Sequence, residues 1–303
     1  MASSAGGAAA APSRAFAGGC QRGLPFVIKA GIEHWGARQW TAESLASSFG
    51  SLPVCVRLHR RGSGDVYEGE CVYELCLLGE FCAWLKGAVS GSLAVRYPQT
   101  HYVGYCDYQD MVQLFANVPQ ALGAVDWSFT GVPRDGVHTT LWLGSEGAHT
   151  PTHYDTYGSN VVAQLAGTKR WRLHPPGAAI TPSRVPFEES SVFAESPNAD
   201  APGGVTIDLH AGDVLYVPRH WWHHVSTPGA ASHAVAVRAD GSGGGWADTA
   251  AAPPPTATYA LSVNTWLEHP ADAAERLREA LVRTLACALL RNTVDDEAVP
   301  RGG

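Results

Sequence analysis

The sequence predicts a mainly β domain with helices flanking it at both the N- and C-terminal ends. Three observations predict it. From about Leu141 the chain runs in short apolar segments of strand length, separated by Gly and Pro turns. Before and after that region, apolar residues recur at helical spacing. The chain has 303 residues, 45% of them hydrophobic, which is enough to bury one large core. A barrel or sandwich of short strands fits all three.

Residues 1–23, rich in Ala, Gly and Ser, read as an unstructured tail. The tail lacks the Leu-rich core of a secretory signal. Its arginines and lack of acids leave organellar targeting open. Order is expected from residue 24, as one domain reaching residue 292, with a second tail over 293–303. FVIKA reads as a short buried strand. WTAESLASSFG reads as a helix, with Thr41 as N-cap, Ser44 three residues on and Gly50 at its end. PVCVRLHR alternates like a strand. YELCLLGEFCAWLKGAV and DYQDMVQLFANVP read as helices, the second stopped at Pro119.

The strands expected after these are TTLWLG, NVVAQLAG, KRWRLHPP, VTIDLHAGDVLYVP, WWHHVST, HAVAVRA and TYALSVNTWLE. Two low-complexity insertions interrupt them, around ESPNADAPGG and over ADGSGGGWADTAAAPPPTAT. The second reads as a mobile surface loop. PADAAERLREALVRTLACALLRN closes the chain as a helix. Leu277, Leu281, Leu285 and Leu289 form one stripe on it, widened by Val282 and Ala286. The stripe packs on the chain's own body or forms a homodimer interface.

Composition excludes some functions. Only 16% of residues are charged and the net charge is -7, which argues against a dedicated nucleic-acid binder. The short basic cluster of Arg57, Arg60 and Arg61 reads as a solvated loop. Seven cysteines without any C-x-x-C read as free thiols in a reducing compartment, the cytoplasm first and the nucleus second. No apolar run reaches the ~18 residues that a membrane helix needs.

Chemistry concentrates in GAHTPTHYDTYGSN. Residues two apart on a strand share a face, so His153 and Asp155 present an imidazole and a carboxylate side by side. Alone this is weak, because a chain with 13 histidines meets H-x-D about once by chance. GDVLYVPRHWWHHV offers a third ligand. On its second strand His223 shares a face with Trp221 and Val225, while His224 shares the other with Trp222 and His220. Only one face looks inward, so at most one of His223 and His224 is a ligand. Two histidines and one carboxylate on one face of an octahedral ion match the facial triad of non-haem Fe(II) oxygenases. Zinc is the second metal, and no general base for a zinc hydrolase stands out.

HTPTHYDTYGSNVVAQLAGTKRWRLHPP, GDVLYVPRHWWHHV and LSVNTWLE together resemble the JmjC family of Fe(II)/2-oxoglutarate oxygenases. The resemblance spans about Pro25 to Asn292. It is nearest to the group around the asparaginyl hydroxylase factor-inhibiting HIF. PSRVPFEESSVF and the chain's close resemble a subgroup associated with a small heat-shock protein. The family implies a double-stranded β-helix (cupin, or jelly-roll) core. It implies His153, Asp155 and His223 as iron ligands, which leaves His224 structural and His220 at the surface. It implies Lys169 and Thr150 on the distal carboxylate of 2-oxoglutarate, and Asn160, Asn264 and Trp266 as pocket residues. A tyrosine completes that site, Tyr105 first, with Tyr102 or Tyr108 as alternatives.

Lys169 is one of only three lysines, and an ammonium suits an anion at the end of a dry pocket. Between Asp155 and Lys169 the chain carries one residue more than the asparaginyl hydroxylase pattern, absorbed in TYGSN. The implied activity consumes dioxygen and 2-oxoglutarate and hydroxylates a protein or peptide side chain. A catalytically weak adaptor for a small heat-shock protein and a lysine demethylase are the alternatives. Glu188 to Phe193, EESSVF, reads as a lid or as a solvated acidic loop.

Overall fold

The computed structural model describes residues 13–131, 136–183, 191–229 and 258–297. Two antiparallel sheets form the core. The larger contains, in spatial order, β1 (Phe26–Ile28), β11 (Val214–Val217), β7 (Ser159–Ala166), β13 (Tyr259–Leu267), β5 (Thr139–Ser145), β4 (Tyr102–Asp110), β2 (Pro53–Arg60) and β3 (Val72–Leu77). The smaller contains β10 (Val205–His210), β8 (Thr168–His174), β12 (Trp222–Ser226), β6 (His149–Asp155) and β9 (Ser191–Phe193). This is the expected cupin-like jelly roll, mainly β, with a helix at its C-terminus.

Side-chain alternation explains the layering. On β7, Val161, Ala163 and Leu165 join the core that also holds Trp35, Leu45, Phe81 and Trp84 from the helical segments. Val162 turns the other way, to Trp171, Leu173, Leu209 and Val225 of the smaller sheet. A strand covered on both sides reads as a continuous apolar run, and VVAQLA is nearly one.

The flanking helices are α1 (Arg14–Cys20), α2 (Ala42–Phe49), α3 (Leu78–Leu85), α4 (Ser92–Arg96), α5 (Met111–Leu114) and α6 (Asp272–Glu297). The start of α2 is as the sequence predicts. Thr41 Oγ1 accepts from the Ser44 amide, and Ser44 Oγ accepts from the Thr41 amide. Gly50 is the C-cap of α2, and only glycine fits there because a Cβ would lie 2.2 Å from the Ala46 carbonyl oxygen.

Five expectations are corrected. The tail over 1–23 holds α1, anchored by Phe16, which packs edge-on against Phe26, Phe129 and Tyr216. YELCLLGEFCAWLKGAV is half strand: β3 pairs with β2 from Val72 to Leu77, and only Leu78–Leu85 is helical. Sheet pairing overrides a short apolar spacing that fits either state. DYQDMVQLFANVP belongs to β4 up to Asp110, and its helix α5 is a single turn. The basic cluster is not a loop: Arg57 lies on β2, 2% exposed, and donates to Asp107 Oδ2 at 2.6 Å. Finally, α6 runs to Glu297, past the expected boundary at 292.

The Leu stripe of α6 does not pack on the chain's own body. Leu277, Leu281, Leu285 and Leu289 are all exposed, while Asp272, Glu275 and Glu279 are buried. Asp272 and Glu275 face inward toward Arg219, while Glu279 pairs along the helix with Arg283. HAVAVRA and ADGSGGGWADTAAAPPPTAT lie outside the described residues. No helix among the described residues is long and apolar enough to cross a membrane.

Candidate metal centre and its cavity

Between the two sheets lies an open cleft, about 490 Å³ with its solvent-filled mouth included. Three side chains at one part of it converge. His153 and Asp155 come from β6 and His223 from β12, strands paired with His153 directly opposite His223. Their ligand atoms all lie within 4.8 Å of one another. His153 Nε2 is 3.8 Å from Asp155 Oδ1, and His223 Nε2 is 4.0 Å from Asp155 Oδ2. No other group of three or more such side chains converges among the described residues.

Both imidazoles are held for ligation. His153 Nδ1–H donates to the Pro151 carbonyl at 2.7 Å, and His223 Nδ1–H to the Trp221 carbonyl at 2.9 Å. Each bond fixes the tautomer that leaves Nε2 with a free lone pair facing Asp155. Burial, with His153 beside it, pushes His223 down to about 4, so it is neutral at physiological pH. Asp155 is oriented as well: Oδ2 accepts from Trp266 Nε1 at 2.9 Å. Two imidazole nitrogens and one carboxylate, with no fourth such ligand converging among the described residues, fit a divalent ion with open positions.

The remaining expected residues line the same cleft. Lys169 on β8 is 3% exposed, and its Nζ–H donates to Tyr105 Oη at 2.8 Å. Its ammonium also lies 5.1 Å from the Tyr105 ring centroid and 5.6 Å from that of Trp142. Burial pulls Lys169 down to about 7, with Asp107 only partly offsetting it. A buried ammonium without a carboxylate in contact is ready to receive an anion. Thr150 hydrogen-bonds Tyr105. Asn264 Nδ2 donates to Asn160 Oδ1 at 2.9 Å, and Asn160 Nδ2 lies 3.5 Å from Asp155 Oδ2.

Of the three tyrosine candidates, Tyr105 is buried in the cleft wall and Tyr108 sits at its rim. Tyr102 instead packs against Tyr97 and Arg60. His224 points away from the cleft, its Nε2 3.0 Å from Asp65 Oδ2. His220 is half-buried rather than surface, with a φ of 61° and its Nε2 3.3 Å from the Thr156 carbonyl.

Sequence reasoning missed Trp142, Val162, Trp171, Ser191 and Ser262 in the lining, while Val225 lies on the ligand face where the reading placed it. Trp142 joins the polar chain, its Nε1–H donating to Asn264 Oδ1 at 2.7 Å. Strand parity on TTLWLG places it opposite Leu141 and Leu143, and that was the available signal. Ser191 begins β9, which pairs with β6 beside the ligands. So Ser191–Phe193 is neither lid nor solvated loop, and Glu188–Ser190 lies outside the described residues.

The TYGSN turn after the ligands depends on glycine. Gly158 has φ 61°, and a Cβ there would lie 2.7 Å from the Leu267 carbonyl oxygen. That close approach lies where β7 begins beside its neighbour β13 in the larger sheet.

Comparison with known proteins agrees with this architecture. The family model described as a cupin-like domain matches residues 12–273. HSPB1-associated protein 1 of Mus musculus is 35% identical over 284 residues, covering 88% of this chain and 52% of the relative. The bifunctional peptidase and (3S)-lysyl hydroxylase JMJD7 of Homo sapiens is 22% identical over 236 residues, covering 66% and 72%. The lysine-specific demethylase JMJ32 of Arabidopsis thaliana is 25% identical over 263 residues, covering 70% and 74%. The chain spans about half the length of the HSPB1-associated relative. With the jelly roll, the convergent ligands and these matches together, the chain belongs to the cupin-like JmjC family, in the branch that contains the HSPB1-associated proteins.

Proposed function

We propose that the chain is an Fe(II)- and 2-oxoglutarate-dependent dioxygenase that hydroxylates a protein side chain. One observation carries this reading: His153, Asp155 and His223 share a cleft with a buried, carboxylate-free Lys169. A metal triad alone fits many ions. A triad beside a single buried ammonium fits a metal with an anionic co-substrate. Relatives named as a hydroxylase and a demethylase support the same chemistry.

In this reading His153, Asp155 and His223 hold the metal. When bound, Fe(II) supplies oxidative chemistry in which 2-oxoglutarate and dioxygen give succinate, carbon dioxide and a hydroxylated C–H. The chain's own residues position the reactants. Lys169, with Tyr105 and Thr150, receives the distal carboxylate of the co-substrate. Trp266 and Asn160 hold Asp155 in place, and Asn264 and Trp142 brace Asn160. Trp142, Trp171 and Val225 exclude water from the cleft.

A second reading rests on the names of the relatives: a JmjC adaptor that binds a small heat-shock protein, with weak or absent catalysis. Lysine demethylation is a third, since a hydroxylated N-methyl group is lost as formaldehyde. Anaerobic binding of 2-oxoglutarate with and without Fe(II) separates the first reading from the second. The oxygenase reading expects binding that strengthens with metal in the wild type and is lost in Lys169→Ala. It expects His153→Ala to lose the metal dependence. A wild type that does not bind 2-oxoglutarate overturns it.

A further inference from the structure

The larger sheet ends in a bare edge. β3 pairs with β2 on one side, and its other side has no partner strand among the described residues. Protein edges are usually blunted by lysine, proline or a bulge. VYELCL has none of these. Its one charge, Glu74, is engaged by Arg96 and Tyr97. Meanwhile Tyr73 is 51% exposed, Leu75 82% and Leu77 50%.

These three residues lie on the cleft side of the sheet. Tyr73 stands opposite Arg57, and Arg57 stands opposite Tyr105, which lines the cleft beside Lys169. Directly opposed residues in antiparallel strands point to the same face, so Tyr73, Leu75 and Leu77 continue the wall that Tyr105 begins. Two strand spacings make this row about 10 Å long. Its outer end is tied to the rim: Tyr73 Oη and Tyr108 Oη both donate to Glu68, and the Tyr108 ring packs 4.6 Å from Trp142. Midway along the row Arg57 is buried against Asp107, so the surface link from the exposed edge residues to the rim runs through Tyr73, Glu68 and Tyr108. Where this link meets the rim, Glu68 and Glu70 have no cation within 4 Å among the described residues.

We propose that β3 is the docking edge for an extended segment of the protein substrate, which adds as a ninth strand and then enters the cleft. The occupant's chemistry follows from the edge. Only a strand satisfies a row of alternating N–H and C=O groups. Tyr73, Leu75 and Leu77 call for apolar side chains at every second position of that strand. Glu68 and Glu70 call for a lysine or arginine where the segment turns toward the cleft. The docked strand lies one spacing beyond β3, about 15 Å from Tyr105, so at least four or five extended residues separate it from the oxidised residue. This proposal rests on the oxygenase reading only for what happens in the cleft, because docking itself is independent of it.

The test uses the full chain and three labelled ten-residue peptides. The first alternates Val and Leu with Ser and carries Lys at one end. The second has the same composition in block order, and the third is the first with N-methylated backbone amides. The alternating peptide is expected to bind about tenfold or more tighter than the other two. Hydrogen exchange at Val72–Leu77 should slow when it binds. Leu75→Lys should weaken it by a similar factor, and Glu70→Lys should weaken it with loss of salt dependence.

Equal binding of all three peptides, no binding of the first, or indifference to Leu75→Lys overturns the proposal. So does a wild type of twice the chain mass that Leu75→Lys returns to single mass, since a second copy then occupies the edge. Metal-dependent binding of 2-oxoglutarate is measured on the same variants. Its absence in the wild type counts against the oxygenase reading alone, and its persistence in Leu75→Lys shows that the edge variant folds.

Discussion

At Lys169 a buried amine lines the cleft. Burial holds it near 7 in the free protein, well below the ordinary lysine value. A bound carboxylate favours the charged form and raises that value again. The ligand therefore binds best where Lys169 is already protonated, below about pH 7. Above it, binding takes up a proton, and affinity falls by up to about tenfold per pH unit until the raised value is passed. Calorimetry at pH 8 in buffers of different ionisation enthalpy should register close to one proton taken up per 2-oxoglutarate. A pH-independent affinity between 7 and 9 contradicts this.

Arg57 tests burial in a different way. It is a fully buried cation held by Asp107 and by the His149 carbonyl oxygen at 2.9 Å. Arg57→Met leaves Asp107 buried beside no cation, a change that costs about 3–5 kcal/mol. Denaturant midpoints report it, and an unchanged midpoint shows that Asp107 finds water or a proton at little cost.

At the scale of elements, two local devices set positions. The Thr41 cap of α2 closes one end of the helical layer, and Thr41→Ala should lower stability by about 1 kcal/mol without changing co-substrate binding. Gly158 joins the ligand strand to β7. Gly158→Val should lower both stability and metal affinity, because the turn that follows Asp155 must open to admit the side chain. Metal titration of that variant distinguishes the two: lowered stability with wild-type metal affinity shows that the turn does not position Asp155.

For the whole molecule, the four leucines of α6 are 56% to 67% exposed. Four leucines spaced by four residues form a stripe suited to a second helix of the same kind. We propose that the chain forms a homodimer through it. Leu281→Glu should halve the mass seen by light scattering, while a wild type already at single mass rejects the dimer.

Much of this was legible in the sequence. Period-two alternation put His153 beside Asp155. It also separates Ser262, Asn264 and Trp266 from Leu261 and Val263, because neighbouring side chains on a strand must take opposite faces. Thr41, Ser44 and Gly50 announced α2 because caps are local hydrogen bonds. What alternation does not reach is the bulge. Thr150 and His153 are three apart, yet both line the cleft, since β6 fits two residues, Pro151 and Thr152, against the single His224 of β12. Tyr105 and Tyr108 do the same on β4, where the register slips between Cys106 and Gln109 and Tyr108 adopts φ 51°. Nor does helical spacing show that VYELCL is an edge strand, because six apolar-rich residues fit either state until a partner strand is present. The sequence by itself determined the strand periods, the caps and the ligand types, which depend on neighbours within a few residues. Register, bulges and exposed faces were decided by the tertiary structure alone, because each depends on a partner far away in the chain.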